Sequence, residues 1–381
     1  MSRRPLLWLI LPLIVLAGLV AILLLTRPLD ELTSSAPPVE QLSVESTRLT
    51  PGLISLGIRA DGSKPLQIAQ VQVDGAYRQF SQTPDGPIKR LGKVRIDIPY
   101  PWLRGEAHHI AFVTSTGVTF EHEIAVAEPT PSYEVPALAM LAVVGLLLGV
   151  APVATGLLAF PALRRLPPKW IRFVLALTVG LLLYLLIDTL SEGLEAAEGA
   201  IDRFRAGTAV WVAALVACAL LLAAGRRDGA APEGVRLSAF IALGIGLHNL
   251  GEGLAVGAAI AAGEAALATF LVIGFTIHNV SEGFGIATPL VGRQPTFATF
   301  AGLAALAGLP AVFGVWLGAQ AVSPLWTALA FGIGAGAILQ VIIEMTALIA
   351  RRDGQRALAT PHSMGGVIAG LAVMYLTALL V

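Results

Sequence analysis

Leu247-His248-Asn249-Leu250-Gly251-Glu252-Gly253 and Ile277-His278-Asn279-Val280-Ser281-Glu282-Gly283 are two copies of one pattern, His-Asn-x-x-Glu-Gly, 30 residues apart. Each copy sits inside an apolar run, 237–262 and 267–291. A helix needs about 20 apolar residues to cross a bilayer, so both runs are long enough. Positions i and i+4 share a helix face, as do i and i+3. His248, Asn249 and Glu252 therefore converge, and so do His278, Asn279 and Glu282. From 237 to 248, and from 267 to 278, is 11 residues in each case. That is about 16 Å of helix rise, half of a hydrocarbon core about 30 Å thick. Two antiparallel helices thus bring matched polar sets to the bilayer midplane.

The remainder of the chain suits a membrane. Of its 381 residues 56% are hydrophobic and 13% charged, and the mean hydropathy is +0.78. Soluble domains carry roughly 25% charged residues. Formal net charge is zero, so no global field argues for nucleic acid. The single cysteine, Cys218, lies in an apolar run and excludes an internal disulfide or thiolate cluster. Nine stretches are long enough to span: 6–25, 138–160, 171–190, 208–224, 237–262, 267–291, 297–319, 325–349 and 364–381. Lys and Arg gather in alternate loops, which the positive-inside rule assigns to the cytoplasm. These are Arg3 and Arg4; Arg164, Arg165, Lys169 and Arg172; Arg226, Arg227 and Arg236; Arg293; and Arg351, Arg352 and Arg356.

Residues 27–137 differ in kind. Alternating runs such as Leu53-Ile54-Ser55-Leu56-Gly57-Ile58 and Val94-Arg95-Ile96-Asp97-Ile98 are separated by turn signals at Asp61-Gly62, Pro84-Asp85-Gly86-Pro87 and Ser115-Thr116-Gly117. The span 42–128 reads as a small β-sandwich between Pro/Ser-rich linkers. The expected fold is an all-α polytopic membrane protein with a small all-β extracytoplasmic domain. Residues 1–26 form an uncleaved anchor, 27–137 the β-domain with its linkers, and 138–381 an eight-helix bundle. The protein belongs in the cell (inner) membrane, its N-terminus cytoplasmic and its C-terminus outside.

A carboxylate at the membrane centre costs several kcal/mol unless compensated. Glu252 and Glu282 facing each other would also repel. A divalent cation removes both penalties. Imidazole, carboxylate and amide oxygen together suit Zn, Fe, Mn, Co or Cd better than Ca or Mg. The competing reading is helix–helix hydrogen bonding, with Gly253, Gly257, Gly283 and Gly285 permitting close approach. Duplication at matched depth argues against that reading alone.

The paired motif resembles the fourth and fifth helices of the ZIP (Zrt/Irt-like) metal transporters, and the likeness covers about 138–381 in helix count and orientation. It implies a secondary transporter moving a divalent metal, zinc first, towards the cytoplasm through an eight-helix bundle. It makes His248, Asn249, Glu252, His278, Asn279 and Glu282 the transport-site ligands. The family's motif proline is here Gly251 in one copy and Ser281 in the other. Members holding two metals commonly have Asp where Asn279 stands and a Glu on the next helix, which in this chain (297–319) has no acidic residue. One metal is therefore expected, bound by His248, Glu252, His278 and Glu282. Leu182 to Glu192 resembles the family's second helix and Gly336 to Glu344 its seventh. Asp188 and Glu192 lie towards the outer mouth and Glu344 towards the inner one, as candidate path residues. His362, in the last cytoplasmic loop, reads first as an ordinary loop residue, with an exit ligand as the alternative.

In the β-domain, His108 and His109 are adjacent on a strand and so face opposite sides. With His122 they read as surface residues rather than a metal site. The expectation is a transporter and not an enzyme, with no cofactor beside the transported ion. Its partners are that ion, the lipid bilayer and a second copy in a homodimer, with no nucleic acid. Two alternatives use the same cluster: an intramembrane metal-dependent enzyme, and a metal sensor that binds without flux. The carboxylates above and below the midplane favour transport, because an enzyme has no need of them. No phosphate-binding loop motif is present to power a primary pump.

Overall fold

The computed structural model describes residues 40–379 apart from 63, 132–133, 201–204, 227–228, 263–264 and 321–322, together with 14, 15, 17, 18 and 21. The expected anchor at 1–26 and the linker at 33–38 lie outside the described residues, except that those five positions are helical.

The β-domain holds eight strands: β1 (Leu42–Thr50), β2 (Leu53–Ala60), β3 (Ile68–Val73), β4 (Ala76–Arg78), β5 (Ser81–Thr83), β6 (Lys93–Pro99), β7 (His108–Thr114) and β8 (Thr119–Ile124). They form two antiparallel four-stranded sheets, ordered β1-β2-β6-β5 and β4-β3-β7-β8. The alternation in the sequence decides which face is inward. Ile54 pairs with Ile98, Leu56 with Ile96 and Ile58 with Val94. From the other sheet, Val71 pairs with Phe112 and Val73 with Ile110. All ten are buried in one core between the sheets. The β-sandwich expected over 42–128 is thus present, ending at Ile124.

The helices are α1 (Val135–Gly145), α2 (Ala151–Leu157), α3 (Phe160–Leu163), α4 (Pro168–Glu198), α5 (Ala206–Gly225), α6 (Gly234–Ala261), α7 (Ala265–Ala287), α8 (Phe297–Gly318), α9 (Pro324–Asp353) and α10 (Pro361–Ala378). A wide helical turn, Leu146–Val150, joins α1 to α2. Among the described residues seven helical segments are long and apolar enough to cross a membrane, α1 to α3 counting as one. The protein is a helical membrane protein with a β-domain. The ninth expected span is α10, whose polar start Pro361-His362-Ser363 leaves it short of that set.

Glycines fix the closest helix approaches. A Cβ at Gly253 or Gly257 on α6 would strike the backbone of α8 at Ala311 or Val315, and one at Gly314 or Gly318 on α8 would strike α6. Gly283 on α7 and Gly156 on α2 exclude side chains from each other in the same way. The two motif helices therefore have different partners: α6 lies on α8 and α7 on α2. Both run unbroken through Gly251 and Ser281. The prolines stand instead in the partner helices, Pro310 within α8 and Pro152 at the start of α2.

In the β-domain Glu45 accepts hydrogen bonds from Arg59 at 2.6 Å and lies 3.1 Å from Lys93. Burial alone would raise its carboxyl, but those two cations outweigh it and hold the group below the usual carboxylate range. Asp74 is likewise held low: burial opposes, but the His109 amide, His108 and Tyr100 all hydrogen-bond to it and prevail. A depressed carboxyl adds stability above its unfolded value, and that stability disappears as pH falls through the folded one. Lowering pH from about 6 to about 3 should therefore reduce the hydrogen-exchange protection factors in β2 and β6, taken relative to the intrinsic amide rate at each pH. In Glu45→Gln the acid dependence should flatten. Equal acid sensitivity in wild type and Glu45→Gln would remove Glu45 from the account.

Candidate functional site

Two stripes on each motif helix, offset by one residue, do different work. His and Glu, at positions one and five of the motif, form one stripe. Asn and Gly, at positions two and six, form the next. On α6 the second stripe faces α8: Asn249 Nδ2 donates to the carbonyl of Ala307 at 3.0 Å, and Gly253 packs one turn further on. On α7 it faces the α1–α2 segment: Asn279 Nδ2 donates to the carbonyl of Leu148 at 3.0 Å, and Gly283 packs one turn on. The residue four positions on from Leu148 is Pro152, which has no N–H, so the ordinary α-helical donor to that carbonyl is absent. The hydrogen-bonding role weighed for these residues and their place at the polar site are therefore both present, divided between the stripes.

The first stripe brings the copies together. Glu252 Oε1 lies 3.0 Å from His248 Nε2 on its own helix and 2.6 Å from His278 Nε2 on α7. Asn279 Nδ2 donates to Glu252 Oε2 at 3.1 Å. The His278 contact is a hydrogen bond, whereas the His248 contact has ion-pair distance without hydrogen-bond direction. The donor atoms of His248, Glu252 and His278 all lie within 4.8 Å of one another, and all three residues are at most 3% exposed. Glu282, 1% exposed, is buried but not part of that group. Among the described residues neither of its oxygens has a hydrogen-bond partner, and the Oδ1 atoms of Asn249 and Asn279 have none either. Those four orphaned atoms are all acceptors, which is the deficit a cation would fill.

Sequence reading missed two supports. Thr189 on α4, 2% exposed, places Oγ1 3.3 Å from His248 Nδ1, leaving Nε2 for the cluster. Its signal was a hydroxyl next to Asp188 in a mostly apolar span. Arg226, at the end of α5, lies 3.0 Å from the buried Glu344, with Arg351 at 3.9 Å. Arg226 stands 118 residues from Glu344 in the chain, a separation that hid the pairing from sequence reading.

Asp188 and Glu192 line a cavity of about 210 Å³ with Tyr184, Phe275, Thr377 and His278. It opens between α4, α7 and α10, and the expected path carboxylates share it with one member of the cluster. His362 packs edge-on against Trp170 at 6.1 Å. In the β-domain His109 is exposed, but His108, expected at the surface, is buried against Asp74, so the two lie on opposite faces as expected with one of them turned into the core. His122 bonds Thr47 at 2.9 Å, and burial lowers its basicity. No family model matches the chain, and no curated protein matches it.

Replacing Asn279 with Leu would strip the donor from both the Leu148 carbonyl and Glu252. A buried acceptor left unpaired costs about 1–3 kcal/mol. The detergent-solubilised Asn279→Leu protein should therefore unfold at a lower temperature, and Asn249→Leu likewise. An unchanged unfolding temperature in both would show that carbonyl capture contributes nothing to the bundle.

Proposed function

We propose that this protein is a ZIP-type secondary transporter of divalent transition-metal ions, zinc first among them, carrying them across the cell membrane towards the cytoplasm. The observation that carries the reading is the convergence of His248, Glu252 and His278, drawn from both motif copies, beside four buried acceptor atoms that lack donors.

The ion is the cargo. Asp188 and Glu192 would receive it in the cavity that reaches His278. His248, His278 and Glu252 would then bind it. Zinc bonds of about 2.0–2.1 Å put tetrahedral ligands about 3.3 Å apart, so the 2.6 Å contact between His278 and Glu252 must relax by several tenths of an ångström. Glu282 would supply the second negative charge, so that one divalent ion and two carboxylates are neutral together. Asn249 and Asn279 offer weak neutral oxygens through Oδ1. Two ions at this level would repel strongly with only those two carboxylates to offset them, so we assign a single ion. Beyond the midplane Glu344 stands in the direction of exit, held by Arg226 and Arg351.

The Lys/Arg alternation supports a cytoplasmic N-terminus, with the β-domain and C-terminus outside. Among the described residues Arg164, Arg165, Arg226 and Arg293 follow alternate membrane-spanning segments of the bundle, and Arg351 lies in the last turn of the next in that alternation, α9.

In proteoliposomes, Glu252→Ala and Glu282→Ala should each abolish zinc uptake while the protein still inserts. Uptake near the wild-type rate in both variants would sink the transport-site assignment. In a Cys218→Ser background, an impermeant thiol reagent added outside cells should label Asp85→Cys and leave Ala230→Cys unmodified. Labelling of the second and not the first would invert the topology.

A further inference from the structure

Helix α8 and the α1–α2 segment touch, then part. At Gly149 and Gly308 the two backbones are in contact, and a Cβ on either glycine would strike the other helix. Beyond this point, towards Phe160 and Phe297, the facing residues are too small to close the gap: Ala154 on one side, Ala301, Ala304 and Ala305 on the other. A groove of about 440 Å³ remains between them. Its rims carry two large apolar side chains that no protein covers, Leu158 at 78% exposed and Phe297 at 86%.

The groove has a length and a charged end. From Leu309 to Phe297 is 12 residues of helix, about 18 Å. One leaflet of hydrocarbon is about 15 Å deep. The groove thus runs from mid-bilayer to one membrane surface and stops there. At that surface the Arg164 guanidinium lies over the ring of Phe160, 5.8 Å from its centroid, and Phe160 itself leans on Phe300 at 5.1 Å. Both rings line the groove. Arg165 follows, also exposed. Deep apolar walls one leaflet long, closed at the interface by two arginines, match one acyl chain beneath an anionic headgroup.

We propose that this groove is a binding site for an anionic phospholipid, one acyl chain lying between α2 and α8 and the phosphate meeting Arg164 and Arg165. The site rests on the membrane setting of the helices and is independent of the metal reading. The phosphodiester gives Arg164 the partner that its stacked position on Phe160 holds it ready for. A zwitterionic lipid would fill the same groove with the same chain, so the headgroup charge is what separates specific binding from ordinary solvation by lipid.

The test uses the full chain, delipidated in detergent and then titrated with dioleoyl phosphatidylglycerol or dioleoyl phosphatidylcholine. Binding is followed by native mass spectrometry and unfolding temperature. The expected result is one phosphatidylglycerol retained under activation that strips phosphatidylcholine. Arg164→Gln should weaken phosphatidylglycerol binding by about fivefold, the worth of one interfacial cation, and leave phosphatidylcholine unchanged. Ala301→Trp, which plugs the groove from an exposed position, should abolish the preferential retention; Ala305→Leu provides a smaller plug should that variant fold poorly. Equal retention of the two lipids by the wild type would overturn the proposal. So would undiminished phosphatidylglycerol binding in the plugged variants. If the plugs convert a dimer to monomers and leave lipid binding intact, the groove is a protein interface and the proposal is equally wrong.

Discussion

An ionised carboxylate inside hydrocarbon must be compensated, and at Glu252 compensation comes from two helices at once. His248 approaches from its own turn, His278 and Asn279 from α7. That requirement fixes the relative height of α6 and α7, because sliding either by one turn of about 5.4 Å would separate the pairs. The Asn–Gly stripes then attach the two helices to different neighbours, α6 to α8 and α7 to the α1–α2 segment. The arrangement of the bundle around its centre follows from one buried charge and from the small residues that let its neighbours come close.

The two motif copies are alike in sequence and unlike in use. Glu252 takes hydrogen bonds from His278 and Asn279 and has His248 at ion-pair distance, whereas Glu282 has no hydrogen-bond donor among the described residues. Glu252 crosses to meet His278 and Asn279 on α7, while Glu282 stands outside the His248, Glu252 and His278 group. The result is one site with a filled side and an acceptor-rich side, rather than two equal sites.

Much of this was legible in the amino-acid order. Spacing by three and four put His248 with Glu252, and counting residues from the ends of the apolar runs put His278 at the same depth. Alternation gave the β-sandwich, because β2 and β6 each bury every second residue. Spacing along one helix could not reveal that Asn279 would reach Leu148, since that contact depends on which helix lies alongside. The proline at 152 was a readable clue to a carbonyl lacking its donor, but not to who would supply one. Separation hid Arg226 from Glu344 in the same way. Glu282 looked equivalent to Glu252 because sequence carries no handedness between helices, and only packing distinguishes them.

Asn279 has one amide nitrogen with two hydrogens, and both are committed, one to Leu148 and one to Glu252. Both partners are acceptors, so the nitrogen cannot be exchanged with the oxygen by turning the amide over. The side chain is locked in one rotamer by chemistry rather than by crowding. Its oxygen is aimed by elimination, with lone pairs that no neighbouring hydrogen occupies. The same nitrogen ties the carboxylate at the centre of the bundle to the wide turn in the α1–α2 segment. Any displacement of Glu252 must either carry that turn with it or break a hydrogen bond in hydrocarbon, so the centre and the edge of the bundle share one mechanical degree of freedom.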